Sequence, residues 1–460
     1  MSLSWNLCGW RRVLWTTLAA LFVSVAPSKA ATLYVAPGGT GDGGFNRPFG
    51  RVRDALAIAA PGDVVMLRPG TYTESVQSAR GGTNEQRIVI TAETPGTAVL
   101  TTASGTVLRI SHPFLTVQDL VIDGQYGLFD AMIVDTAADG LVLQRVEVRR
   151  SSRDCIDIRA PGGVVIEGAH VHHCLNAANG QTDAHGIAAG AVRDLTIRDT
   201  RVHTFSGDGV QVDPGRAAPG WDRVTIERCQ FWTEPFAEPE NGFSAGMVPG
   251  ENAIDTKALG TAARATLLVR DTEAWGFRSG LITNMAAFNI KENVDVVFDR
   301  VTVSRSEIGF RLRGPGPNGG AWVRVQNTVV YDVTTGVRYE DDIERVEVWN
   351  STFGALVVRG FQAASSAAAG LDVKNVLFMS PPSSELAGAS NLAASPGDFV
   401  DASQHDYRLR ATSSAIDAGV SLTAVTTDRM GVARPVQRHW DIGAFEYTPA
   451  ELGARGGPSR

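Results

Sequence analysis

The sequence predicts an all-β protein, a single-stranded parallel β-helix of about ten or more coils with an N-terminal cap. Three observations carry that prediction. An octet of alternating character starts at Leu115, Leu141, Val164, Leu195, Val224, Leu267, Val296, Val323, Val346 and Leu371, at intervals of 23 to 43 residues. A second short strand follows several octets: Cys155-IDIR, Gly186-IAAG, Gly209-VQVD, Ala253-IDTK, Gly280-LITN, Gly309-FRLR and Gly336-VRYE. Glycine is frequent, at 49 residues, and no long helical periodicity interrupts the series. One coil cannot bury its own apolar side, but stacked coils share a continuous core. A sandwich would instead show hairpin dipeptides between its strands.

The chain of 460 residues is 43% hydrophobic and 20% charged, an ordinary globular balance. A net charge of −7 gives no support for nucleic-acid binding, and a polyanionic partner would need a local cation. Arg11 and Arg12 precede an apolar run over residues 13–25, and Ser28-Lys29-Ala30 reads as a cleavage site. Residues 1–30 are thus expected to be a secretory signal, with an apolar run too short to span a membrane comfortably. The mature chain would begin near Ala31, work outside the cytoplasm and carry no membrane span. Cys8 leaves with that signal. Cys155, Cys174 and Cys229 remain, without C-x-x-C spacing, as packing positions with room for one disulfide.

In chain order, Leu33-Tyr34-Val35 opens a strand, and residues 52–60 have helical spacing suited to a cap over the first coil. The β-helix is expected over residues 31–390. Its inward column is Ile156, Ile187, Val210, Ile254, Leu281, Phe310 and Val337. One outward column is then Asp157, Ala188, Gln211, Asp255, Ile282, Arg311 and Arg338. The next is Arg159, Gly190, Asp213, Lys257, Asn284, Arg313 and Glu340. His185, Asp208 and Asn252 fall in one row before this strand, with Glu251 beside them. Acidic and amide groups thus lie toward the earlier coils and arginines toward the later ones. The longest connections, 214–221 and 233–249, are expected to wall this face. Residues 391–448 form an end module and 449–460 a disordered tail.

The opening YVAPGGTGDGGFNRPFGRVRDALAIAAPGDVVMLRPGTYTE resembles that of secreted right-handed parallel β-helix proteins of the pectate-lyase-like superfamily. The ending SAIDAG…D…G…R…DIGAFEY is similar to the end module on many of them. Within that superfamily the nearest comparison is with polysaccharide lyases of the ninth family, which bind calcium through aspartates and use a lysine base. The resemblance implies a carbohydrate-active protein, leaning to a lyase that cleaves an acidic polysaccharide by β-elimination, and the protein is expected to be a monomer. It places Glu251, Asn252, Asp255, Asp208 and Asp213 near a calcium ion. Lys257 or Arg311 becomes base or carboxylate partner; Arg311 stands where the family has lysine. Arg313, Asn284, His185 and Trp221 are the expected substrate contacts, and Trp232 and Trp275 are further candidates for stacking on a sugar ring. The alternative from a different class is a non-catalytic glycan-binding or cell-surface β-helix. A glycoside hydrolase using Asp154 and Asp157, or a uronan epimerase, ranks lower. His170 and His172 share a strand face and His203 falls beside His172, but the chain has no zinc-type spacing.

Overall fold

The computed structural model describes residues 30–176, 183–215, 220–257, 263–280, 282–291, 293–313, 320–340, 343–364, 370–380, 386 and 390–449. The expected signal sequence (apart from Ala30), Leu281, half of the 214–221 connection and nearly all of the expected tail lie outside the described residues. The described chain is a parallel β-solenoid with three faces. The first face is a sheet of 13 parallel strands in chain order, from Thr32–Val35 to Leu371–Lys374. The second and third faces merge into one 22-stranded sheet. They merge because Thr302–Leu312 and Val329–Tyr339 run uninterrupted across both.

All ten octets sit in register on the first face. Thr116, Val142, Val165, Thr196, Thr225, Leu268, Val297, Arg324, Glu347 and Asp372 are successive partners. The residues one place on, including Leu143, Ile166, Ile197, Ile226, Val269, Phe298 and Val325, are fully buried. Period-two alternation therefore points an unbroken apolar column into the core.

The fifth residue of every octet has positive φ. These are Asp119, Arg145, Gly168, Asp199, Arg228, Asp271, Arg300, Asn327, Asn350 and Asn375, all between +44° and +62°. This left-handed residue turns the chain from the first face to the second. Gly168 adopts it without a Cβ clash, and Asp and Asn visit it more readily than other residues. The three arginines are strained there, and each grips the aspartate of the corner before it with two hydrogen bonds. Arg145 Nε lies 2.7 Å from Asp119, Arg228 Nε 2.8 Å from Asp199 and Arg300 Nε 2.6 Å from Asp271.

The helix Val52–Ile58 buries Val52, Ala55 and Leu56 against the first coil. At the other end, residues 390–449 lie along the corner of the last coils. The final three corner asparagines hold them. Asn327 accepts from Arg434 (3.2 Å), Asn350 donates to the Asp441 carbonyl (3.2 Å), and Asn375 donates to the Val420 carbonyl (2.7 Å). Inside this segment Arg434 and Glu446 form a fully buried pair at 2.7 Å, and Glu446 also accepts the Asp441 N–H. Phe399, Tyr407, Ile442 and Phe445 complete a small apolar cluster with Val329 and Leu377 of the solenoid.

Candidate functional site

The third face carries the acidic and basic groups singled out in the sequence. Its inward column is Ile156, Ile187, Val210, Ile254, Phe288, Phe310 and Val337. Phe288 takes the place expected for Leu281. The strand is Ala286–Ile290, not the glycine-led segment five residues earlier. Phe288 packs on Phe310 and Phe298 with ring centroids 5.3 and 4.8 Å apart. The outward column consequently reads Asp157, Ala188, Gln211, Asp255, Asn289, Arg311, Arg338.

Two expected contacts change with that register. Asn284 sits in a turn at φ +60° and its side-chain carbonyl accepts from Arg338, so it is not beside Lys257. Lys291 is there instead, and its ammonium lies 2.8 Å from Asp255. Trp221 is not a sugar platform. It is buried, and its indole N–H donates to the Lys257 carbonyl at 2.6 Å, bracing the end of that strand. Trp232 and Trp275 lie on the second face, stacked on each other at 5.0 Å.

Four neighbouring coils build the centre of the site. Asp208 is almost wholly buried; it accepts from Asn252 at 2.7 Å and from Gln211 at 3.0 Å. Its own N–H donates to His185 Nδ1 at 2.8 Å, which leaves the ring's proton on Nε2. His185 is buried as part of the wall, its backbone N–H donating to Asp154 at 2.9 Å. Asp255 accepts from Asn289 at 2.9 Å beside its contact with Lys291. Asp213 and Lys257 pair at 3.1 Å, as adjacent coils in this register require. Further along, Arg311 and Arg313 each lie 3.4 Å from Glu340.

Crowding of acidic groups sets the proton affinities. Burial first, then the charges of Asp208, Asp183 and Asp255, push Glu251 up to about 7. Burial and Asp208 raise Asp255, with Lys291 opposing them. Asp154 rises to about 6, chiefly by burial. Burial works to lower Lys257, but Asp213 and Asp255 carry it above its ordinary value, so its ammonium stays charged. Burial and Arg313 lower Arg311, yet a guanidinium remains a cation.

A calcium ion takes six to eight oxygen ligands. Asp208, Asp213, Asn252 and Asp255 offer oxygens already held by protein donors. Lys257 and Lys291 stand on two of the carboxylates, and amides of Asn252, Gln211 and Asn289 on the rest. Asn252 Oδ1 itself accepts the Ala286 N–H at 3.3 Å. Four of the five expected calcium ligands are thus held by protein donors in the arrangement seen, and Glu251, the fifth, shares the acidic cluster with Asp208 and Asp255. Lys291 and Asn289, which the sequence reading did not name, are part of the centre. Their signal was Phe288 and Ile290 alternating with Asn289 and Lys291, the same pattern as Ile254 with Asp255 and Lys257.

No family model matches the chain, and no curated protein matches it. Solved structures do. Pectate lyase Pel9A is 16% identical with a TM-score of 0.56, over 92% of this chain and 97% of that one. A rhamnogalacturonan lyase is 14% identical with a TM-score of 0.56, over 81% and 91%. A mannuronic acid specific polysaccharide family 6 lyase from human gut microbiota is 15% identical with a TM-score of 0.52, over 76% and 82%. At these identities the likeness is one of fold: the chain shares the β-solenoid on which those lyases are built.

Proposed function

We propose that the protein is an exported, monomeric β-helix enzyme that cleaves an acidic glycan by β-elimination at a uronic acid. The observation that supports this most is the order of charge on the third face. A carboxyl with a pKa of about 7, Glu251, belongs to the same cluster as Asp255, and Lys257, Lys291 and Arg311 follow on the same and the next two coils. The lyases of similar fold act, by their descriptions, on pectate, rhamnogalacturonan and mannuronic acid polysaccharide. The disulfide between Cys155 and Cys174 fits an oxidising compartment.

In this elimination the C5–H bond breaks, its electrons form the C4=C5 double bond, and the C4–O bond to the leaving sugar breaks. The base takes the C5 proton, and the leaving oxygen gains one from water or from the protonated base. A cation on the C6 carboxylate stabilises the charge that develops beside C5. Lys257, Arg311 and Arg313 serve that purpose because they stay charged. A base works best with a pKa near the working pH, which moves that role from Lys257 and Arg311 to Glu251. Asp208, fixed by Asn252, Gln211 and His185, supplies part of the field that raises Glu251. No step is drawn through calcium.

The experiment is to incubate mature protein with pectate, alginate or chondroitin sulfate, with and without chelator, and follow absorbance of the unsaturated product. Turnover on at least one glycan, surviving chelation and falling about 100-fold or more in Glu251→Gln, is the expected result. Full activity in Glu251→Gln would remove the base assignment, and no product from any acidic glycan would remove the lyase reading. A second reading, a glycan-binding face without chemistry, is favoured by the way Asp213 and Asp255 are already neutralised by lysines. Binding without product in the same assay decides for it.

A further inference from the structure

The second face carries a cluster of histidines that the third-face chemistry does not use. Three consecutive strands, Glu147–Ser151, His170–Cys174 and Arg201–Phe205, place Glu147 beside His170 and His172 beside His203. Ligand atoms of Glu147, His170 and His172 all lie within 4.8 Å of one another. His203 closes the group, its Nε2 2.8 Å from His170 Nε2 and its ring stacked on His172 at 5.1 Å.

The hydrogen bonds around the cluster fix which nitrogens face inward. His173 Nε2 lies 3.4 Å from Glu240, and its Nδ1 lies 2.6 Å from His172 Nδ1. A proton on His173 Nε2 for Glu240 and one on His172 Nδ1 for His173 satisfy both contacts. His172 Nε2 is then a bare lone pair, and it faces the Glu147 carboxylate at 3.3 Å. In that arrangement a metal cation between the two takes the place of the proton that His172 Nε2 would otherwise share with Glu147. On the other side, His203 Nδ1 is held by Thr204 Oγ1 at 2.9 Å, which leaves its Nε2 to the cluster. A carboxylate or hydroxyl behind each imidazole is the usual support of a metal ligand.

We propose that Glu147, His170, His172 and His203 form a binding site for one divalent transition-metal ion of the zinc class. Three imidazoles and a carboxylate suit that class better than calcium or magnesium, which prefer oxygen alone. Two nitrogens on one tetrahedral zinc lie about 3.4 Å apart, so the His170–His203 contact opens by roughly half an ångström on loading. Arg149, which also holds Glu147 at 2.6 Å, and Arg201 oppose the ion. An entry path lies beside the cluster. Residues 234–240 with His173 and Thr204 line a pocket of about 320 Å³ that carries Glu234, Glu238 and Glu240. The Cys155–Cys174 disulfide pins the end of the histidine strand to the third face, which pre-forms the site.

The test uses full-length mature protein without a histidine tag, stripped with chelator and titrated with zinc chloride by calorimetry. One ion per chain is expected. Cobalt(II) should give the intense visible bands of four-coordinate nitrogen and oxygen ligation. The double variant His170→Gln/His172→Gln should weaken zinc at least about 100-fold, Glu240→Gln about 10- to 100-fold, and His439→Gln not at all. Absence of stoichiometric zinc in the wild type overturns the proposal, as does a weak octahedral cobalt spectrum. Unchanged affinity in the folded double variant does so too. If that variant fails to fold, Glu240→Gln and the wild-type cobalt spectrum still decide.

Discussion

At the scale of single residues, the site is governed by how few of its charges can be ionised together. Glu251 has a folded pKa of about 7 against 4.5 in an open chain. Between those values the native state keeps a proton that the unfolded state has lost. Its contribution to stability is therefore complete below pH 4.5 and gone once the pH rises past 7. Asp154, raised to about 6, leans the same way, so the informative quantity is a difference. The urea midpoint of wild type should fall across pH 4.5 to 7 more steeply than that of Glu251→Gln; parallel curves would contradict the shift. If Glu251 is also the base, the rate of elimination rises through the same pH. The sequence showed which charged residues share this face, because register alone decides that for Asp213, Lys257 and Asp255. It did not show Lys291. Ala286 and Ala287 are poor strand formers, while Gly280-Leu281-Ile282-Thr283 imitates the strand openings of neighbouring coils. Phe288 settles the competition, because its ring fills the core between Phe298 and Phe310. The burial of Trp221 was equally hidden, since its hydrogen-bond partner is a backbone carbonyl 36 residues away.

At the scale of the element, each turn from the first face to the second is made on one left-handed residue. Placing an arginine there costs about 1–2 kcal/mol of backbone strain, and its partly exposed pair with the preceding aspartate returns less than about 1 kcal/mol. Arg228→Gly should consequently leave the melting temperature nearly unchanged: the strain relieved is offset by the lost ion pair together with the greater chain freedom that a glycine loses on folding. Arg228→Val keeps the strain, adds β-branching and loses the pair; it should destabilise by about 2 kcal/mol or more in chemical denaturation. Equal destabilisation by both would mean that the Asp199 contact dominates the corner. The octets themselves were fully legible, because the alternation that buries Leu143, Ile166 and Ile197 is written in consecutive residues. The second-face histidines were legible only as a shared strand face. Their convergence on Glu147 depends on side-chain directions across three coils, which no spacing rule encodes.

At the scale of the whole molecule, stability passes from coil to coil, and the two ends need cover. Val52–Ile58 covers the first coil. Residues 390–449 cover Val329, Leu377 and the asparagine corners from the side. A chain stopped after residue 390 bares that apolar cluster and strips three buried amides of their contacts to this segment. It should elute as aggregate in size exclusion where the full chain elutes as one species; a soluble, monomeric truncation would show that the segment is dispensable.

The corner residues also divide the solenoid by how freely its length could change. From Asp119 to Arg300 the corner-to-corner ion pairs join an arginine to the aspartate corner just before it, so a whole coil bounded by an aspartate and the following arginine could be lost or duplicated with its pairing intact. From Asn327 onward every corner is also tied to a fixed address in the last sixty residues, and the spacing of three coils is locked to one another. Variation in coil number among descendants of such a chain would accumulate on the first side of residue 301 and stop abruptly on the second.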